Sequence, residues 1–154
     1  MANNLPPCGV YKTTKDIPNG PKANQLVYFH NHGNPGPGVY LPTGWKLNRA
    51  SFDVNGYILP DESWIDSLEK IPQEGFYRVR ESFTCCSKNC RTFQPDLLVQ
   101  LGYNGNADPI LFVPQWKEKG FDIPESGTPL DKSRLYKLVP LQVEAPAEPG
   151  RNTH

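Results

Sequence analysis

Apolar positions in this chain come in short runs broken by turn residues, and no stretch holds a helical spacing for more than about two turns. Leu26–Phe29 (LVYF) is aromatic and β-branched, which predicts a strand. The following HNHGNPGPG is dense in Gly, Asn and Pro and predicts a turn, after which Val39–Leu41 is extended again until Pro42.

The same pattern returns further on. Leu98–Lys117 reads LVQLGYNGNADPILFVPQWK, and Leu26–Lys46 reads LVYFHNHGNPGPGVYLPTGWK. With one gap, Leu26, Val27, Gly33, Asn34, Pro37, Pro42, Trp45 and Lys46 meet Leu98, Val99, Gly105, Asn106, Pro109, Pro114, Trp116 and Lys117. Two of the three tryptophans thereby fall into register.

Ser63-Trp-Ile-Asp66 and Thr128-Pro-Leu-Asp131 each place a hydroxyl at a candidate N-cap with an acid three residues on. Pro129 then falls at the first helical position, where its missing N–H costs nothing. Trp64, Leu68 and Ile71, and in the other half Leu135 and Leu138, give each short helix one apolar face. The chain turns extended again afterwards, as FYRVRESF and LVPLQV.

These patterns predict a mainly β fold: a small antiparallel barrel or sandwich built from two pseudo-repeats, each with one short helix. The repeats span 26–81 and 98–143, pack about a pseudo-twofold axis, and are joined by a cysteine-containing segment, 82–97. Residues 1–24 read as a polar arm over the surface, 25–143 as one β-rich domain, and 144–154 as a disordered tail.

Composition narrows the function. The chain has 154 residues, 17 of them Pro and 13 Gly, which suits short strands and turns rather than long helices. Sixteen basic side chains balance sixteen acidic ones, so a general nucleic-acid binder is disfavoured. No apolar run is long enough to span a bilayer, and the N-terminus resembles no secretory signal, so the expected location is the cytoplasm. There the four cysteines would be thiols or metal ligands rather than disulfides.

The candidate chemistry centres on Phe76–Phe93, which holds Cys85, Cys86 and Cys90. Cys86 and Cys90 are spaced as a short metal-ligand pair, and His30 and His32, two apart on a strand, would point to one face. Together these five residues form a candidate zinc site. The bland alternative is a surface histidine pair with buried cysteines. Arg78, Arg80, Lys88 and Arg91 surround the cysteines and would favour the thiolate, but the two-residue spacing of dithiol oxidoreductases is missing. Phe76, Tyr77, Phe83 and Phe93 interleave with those cations as a single-strand nucleic-acid surface would. Any half-buried strand shows the same alternation. Trp45 and Trp116 read as repeated core anchors.

No nucleophile elbow, phosphate-binding glycine loop or zinc-protease helix is present. The sequence therefore favours a non-enzymatic cytosolic binding protein, of a partner-neutralising, adaptor or assembly kind, without a cofactor and with another protein as partner. His30, His32, Arg78, Arg80 and Arg91 are its candidate binding residues. A zinc protein is the second reading, and a cysteine-dependent enzyme or thiol redox protein the third. Oligomeric state is left open.

Overall fold

A computed structural model describes residues 5–32, 37–88, 91–142 and 144. The fold is mainly β, and every strand pairing is antiparallel. The strands are β1 (Gly9–Thr13), β2 (Leu26–His30), β3 (Gly38–Tyr40), β4 (Pro42–Lys46), β5 (Arg49–Phe52), β6 (Tyr57–Ile58), β7 (Leu68–Lys70) and β8 (Gly75–Val79). They continue as β9 (Phe83–Thr84), β10 (Thr92–Phe93), β11 (Leu98–Tyr103), β12 (Pro109–Phe112), β13 (Gln115–Lys117), β14 (Gly120–Asp122), β15 (Thr128–Pro129) and β16 (Leu138–Pro140). Two 3₁₀ helices, Glu62–Ser67 and Lys132–Lys137, precede β7 and β16.

Two five-stranded sheets carry the chain, in the orders β6-β3-β2-β1-β7 and β15-β12-β11-β8-β16. Neither closes into a barrel, which replaces the barrel half of the expectation. Their registers superpose pair for pair. Gly9 pairs with Phe29, Tyr11 with Lys70 and Val39 with Tyr57. At the same places Gly75 pairs with Leu101, Tyr77 with Pro140 and Leu111 with Thr128. Gly9 and Gly75 both take a positive φ, as do Asn24 and Asp96 ahead of the next strands. The Tyr11 hydroxyl donates to the carbonyl of Pro7 and the Tyr77 hydroxyl to that of Gln73, four residues back in each case.

This pairing moves the boundaries read from the sequence. The first sheet draws its strands from 9–70 and the second from 75–140. Of the predicted surface arm, 1–24, residues 1–4 lie outside the described residues, and the rest is not an arm: β1 lies inside the first sheet between β2 and β7, with Val10 and Tyr11 buried. The Gly-Val-Tyr-Lys-Thr run has enough β-branched and aromatic character to pair on both sides. The predicted joining segment, 82–97, likewise does not divide the two sheets, because β8, which precedes it, already lies inside the second one. The predicted tail, 144–154, lies outside the described residues apart from Glu144.

Both expected helices form, but as single short 3₁₀ stretches that end before Leu68, Ile71 and Leu138. Those three residues lie in or beyond the following strands, and the helix caps differ from those read in the sequence. Asp61, not Ser63, caps the first: its carboxylate accepts from the Ser63 amide at 2.8 Å. Asp131 stands at the cap of the second, because Thr128 and Pro129 are taken up as β15 against β12. One core cluster, Tyr11, Ile17, Val27, Phe29, Val39, Leu59 and Leu68, belongs to the first half. The larger cluster spans both halves, since Val10, Leu26 and Ile71 pack with Tyr77, Val79, Val99, Leu101 and Leu111.

Two hairpins, β4–β5 and β13–β14, stand apart from the sheets. The first lies against the second half, where the Trp45 indole N–H donates to the Tyr103 carbonyl at 2.8 Å. The second leaves Trp116 84% exposed. A twofold arrangement would bury both alike, so the halves are not packed as expected. Neither tryptophan is a core anchor, since even Trp45 is 46% exposed.

Candidate metal centre

The register of β1 on β2 sets this site. Gly9 opposite Phe29 puts Cys8 opposite His30, at the open end of the β2 strand. Glycine suits this place because its φ of +154° is one that residues with a side chain rarely adopt. That Gln73 amide holds β1 by accepting from the Val10 N–H at 2.9 Å and donating to the Val10 carbonyl at 3.3 Å. Asn31 fastens the incoming segment, donating from Nδ2 to the Pro6 carbonyl at 3.0 Å.

Cys8 Sγ then lies 3.7 Å from His30 Nδ1 and 3.9 Å from His32 Nδ1. The two imidazole rings are 4.0 Å apart at 47°. The three ligand atoms all fall within 4.8 Å of one another, with Cys8 and His30 half-buried and His32 exposed. Tetrahedral zinc, with its usual bonds to sulfur and imidazole nitrogen, would separate S from N by roughly 3.6 Å. The observed spacings are close to that.

Asn31 organises the same atoms. Its amide N–H donates to Cys8 Sγ at 3.3 Å, and its Oδ1 accepts from the thiol at 3.3 Å. Oδ1 also lies 2.7 Å from His32 Nδ1, so a metal must displace that hydrogen bond to use this nitrogen. Burial, with Cys8 nearby as a smaller contribution, pushes the Tyr11 phenol above its ordinary range.

The sequence-derived ligand set is only partly assembled. His30 and His32 come together, and their third neighbour is Cys8. Among the described residues, Cys85 and Cys86 join no such group, and Cys90 lies outside them. Cys85 is 1% exposed and packs with Phe83 and Phe93, whose rings stack at 5.1 Å. Its sulfur is 3.6 Å from that of Cys86. Cys8 lies 22 residues before His30, and the antiparallel pairing of β1 with β2 brings it back. The legible signal was a short β-prone run after Pro-Pro-Cys, two strands' length ahead of the histidines.

The cations proposed for binding have local partners. Arg78 pairs with Asp96 at 2.9 Å, Arg80 lies over the Tyr136 ring at 5.8 Å, and Arg91 lies over Phe93 at 5.2 Å. Tyr77, Phe83 and Phe93 are buried, so they offer no stacking platform for bases. No helix among the described residues is long and apolar enough to cross a membrane. No family model, curated protein or solved structure matches the chain.

Proposed function

We propose that this protein binds a zinc-type metal ion through Cys8, His30 and His32. The observation that carries the reading is the pair of sulfur-to-nitrogen separations, 3.7 and 3.9 Å, on one thiol and two imidazoles. A borderline-soft N₂S donor set suits zinc, and three protein ligands leave a fourth position for water or a donor from a partner. Such an ion would tie the segment ahead of β1 to the end of β2. It would also compete with protons for the thiol and the rings, so binding weakens on acidification.

The test is elemental analysis of protein purified without chelator, followed by zinc titration. About one equivalent is expected, lost in Cys8→Ser and retained in Cys85→Ser. Less than a tenth of an equivalent with no titratable binding, or loss in Cys85→Ser instead, overturns the reading.

A non-enzymatic role in binding another protein is the second reading, favoured by Trp116 and Phe121, which lie exposed side by side on one hairpin. The matched registers of the two sheets, with Leu26/Leu98, Val27/Val99 and Trp45/Trp116 at like places, support an internal duplication. Its units would be 9–70 and 75–140. Homologous sequences in which these matches fade rather than sharpen would count against it.

A further inference from the structure

The hairpin β4–β5 docks on the second half through a defined set of contacts. Trp45 donates to the Tyr103 carbonyl, and Gln100 Nε2 donates to the Leu47 carbonyl at 3.0 Å. Asn48 Nδ2 donates to Gln100 Oε1 at 3.0 Å and to the Pro124 carbonyl at 2.9 Å. The Ala50 N–H donates to Glu74 Oε2 at 3.0 Å. Close approach requires Gly102, where an added Cβ would stand 2.8 Å from the Asn48 carbonyl oxygen.

The matching hairpin β13–β14 has no such seat. Trp116 is 84% exposed and Phe121 49%, their rings 5.4 Å apart, and the Trp116 N–H meets no acceptor among the described residues. The matching seat is open as well. The superposed registers put Tyr28 at the place of Gln100, His30 at that of Gly102 and, along the hairpins, Asp53 at that of Pro124. There a groove of about 330 Å³ is lined by Tyr28, His30, Tyr40, Phe52 and Asp53. One molecule thus carries an exposed hairpin and an open surface at the places that match a contact it makes once internally.

We propose that the β13–β14 hairpin of one chain docks in the Tyr28–Asp53 groove of a second copy, at the place that matches the internal seat of β4–β5. The residues that differ between the two seats fit one another. Lys119 stands where the first hairpin has Asn48, and it faces Asp53 where Asn48 meets the Pro124 carbonyl. A neutral hydrogen bond inside the chain becomes a lysine–aspartate pair between chains. His30 carries a side chain where Gly102 has none, so the docking hairpin stands off farther from this strand than Asn48 does from Gly102, and the longer lysine bridges the gap to Asp53. The contact is heterologous, since hairpin and groove are different surfaces, so it propagates into an open chain or closes as a ring.

Sedimentation equilibrium over a wide concentration range, in the presence of chelator, tests this independently of the metal. The average mass is expected to rise above the 17.3 kDa of one chain. Trp116→Ala should weaken association about 30-fold, as truncation of a central aromatic does. Lys119→Glu and Asp53→Lys should each weaken it about fivefold, and the double reversal should restore it. All three side chains are exposed, so these variants leave the core untouched. A single-chain mass at the highest concentration overturns the proposal. So does association indifferent to Trp116→Ala, or a double reversal no tighter than the single ones.

Discussion

Glu74 and Cys8 stand at the same place in their halves, each just before a glycine of positive φ that opens an inner strand. Their chemistry differs. Cys8 gathers two imidazoles, whereas Glu74 accepts from the Ala50 amide beneath the docked hairpin. Burial raises the Glu74 carboxyl above its ordinary value, partly offset by that amide and by Arg49. A raised acid favours the folded state most fully below its unfolded pKa, and that favour is lost as pH rises through the folded value. Glu74→Gln keeps the acceptor and removes the charge. Its melting temperature should exceed that of the parent protein at about pH 7, with the gap closing towards about pH 4. A gap that widens on acidification would contradict the assignment. None of this showed in the sequence, where Glu74 was an unremarkable acid between Gln73 and Gly75.

At the level of elements, the β9–β10 hairpin was legible as strand-like aromatic spacing, but its cysteines suggested chemistry that the packing does not support. Phe83, Cys85 and Phe93 belong to the core cluster beneath the second helix. The Cys85 backbone is engaged on both sides, its N–H donating to Arg91 and its carbonyl accepting from Asp131 at 2.9 Å each. Cys85→Ser buries a hydroxyl among apolar neighbours and should cost about 1–3 kcal/mol in denaturant unfolding. A neutral result would mean that the site is wetter than its 1% exposure implies. The helices show why caps are harder to read than apolar faces. Thr128 has a capping side chain, but strand pairing with Leu111 claims its backbone first. Asp131 takes the position, and Arg134 donates to its carbonyl at 2.8 Å in the manner of a 3₁₀ turn.

Across the whole molecule, the two halves share one core cluster and a docked hairpin, and Leu26 donates to the Gly105 carbonyl across them at 2.9 Å. Each half alone is small enough to be marginal. The chain should therefore unfold in one transition, with tryptophan fluorescence and far-ultraviolet circular dichroism changing together. Two separated transitions would show that the halves are independent units. The unequal hairpins carry the main consequence at this scale, since one satisfies its seat internally and the other faces outward.

Although the centre of the predicted turn, 33–36, lies outside the described residues, the amino-acid sequence by itself determined the mainly β character and the short run of the strands. These are local matters of side-chain alternation and backbone preference, written within a few residues. Tertiary structure alone decided which strand begins each half, which cysteine joins His30 and His32, and which tryptophan stays exposed. Those depend on pairing between residues far apart in the chain, such as Gly9 with Phe29, and a single chain's local pattern does not encode the partner of an inner strand.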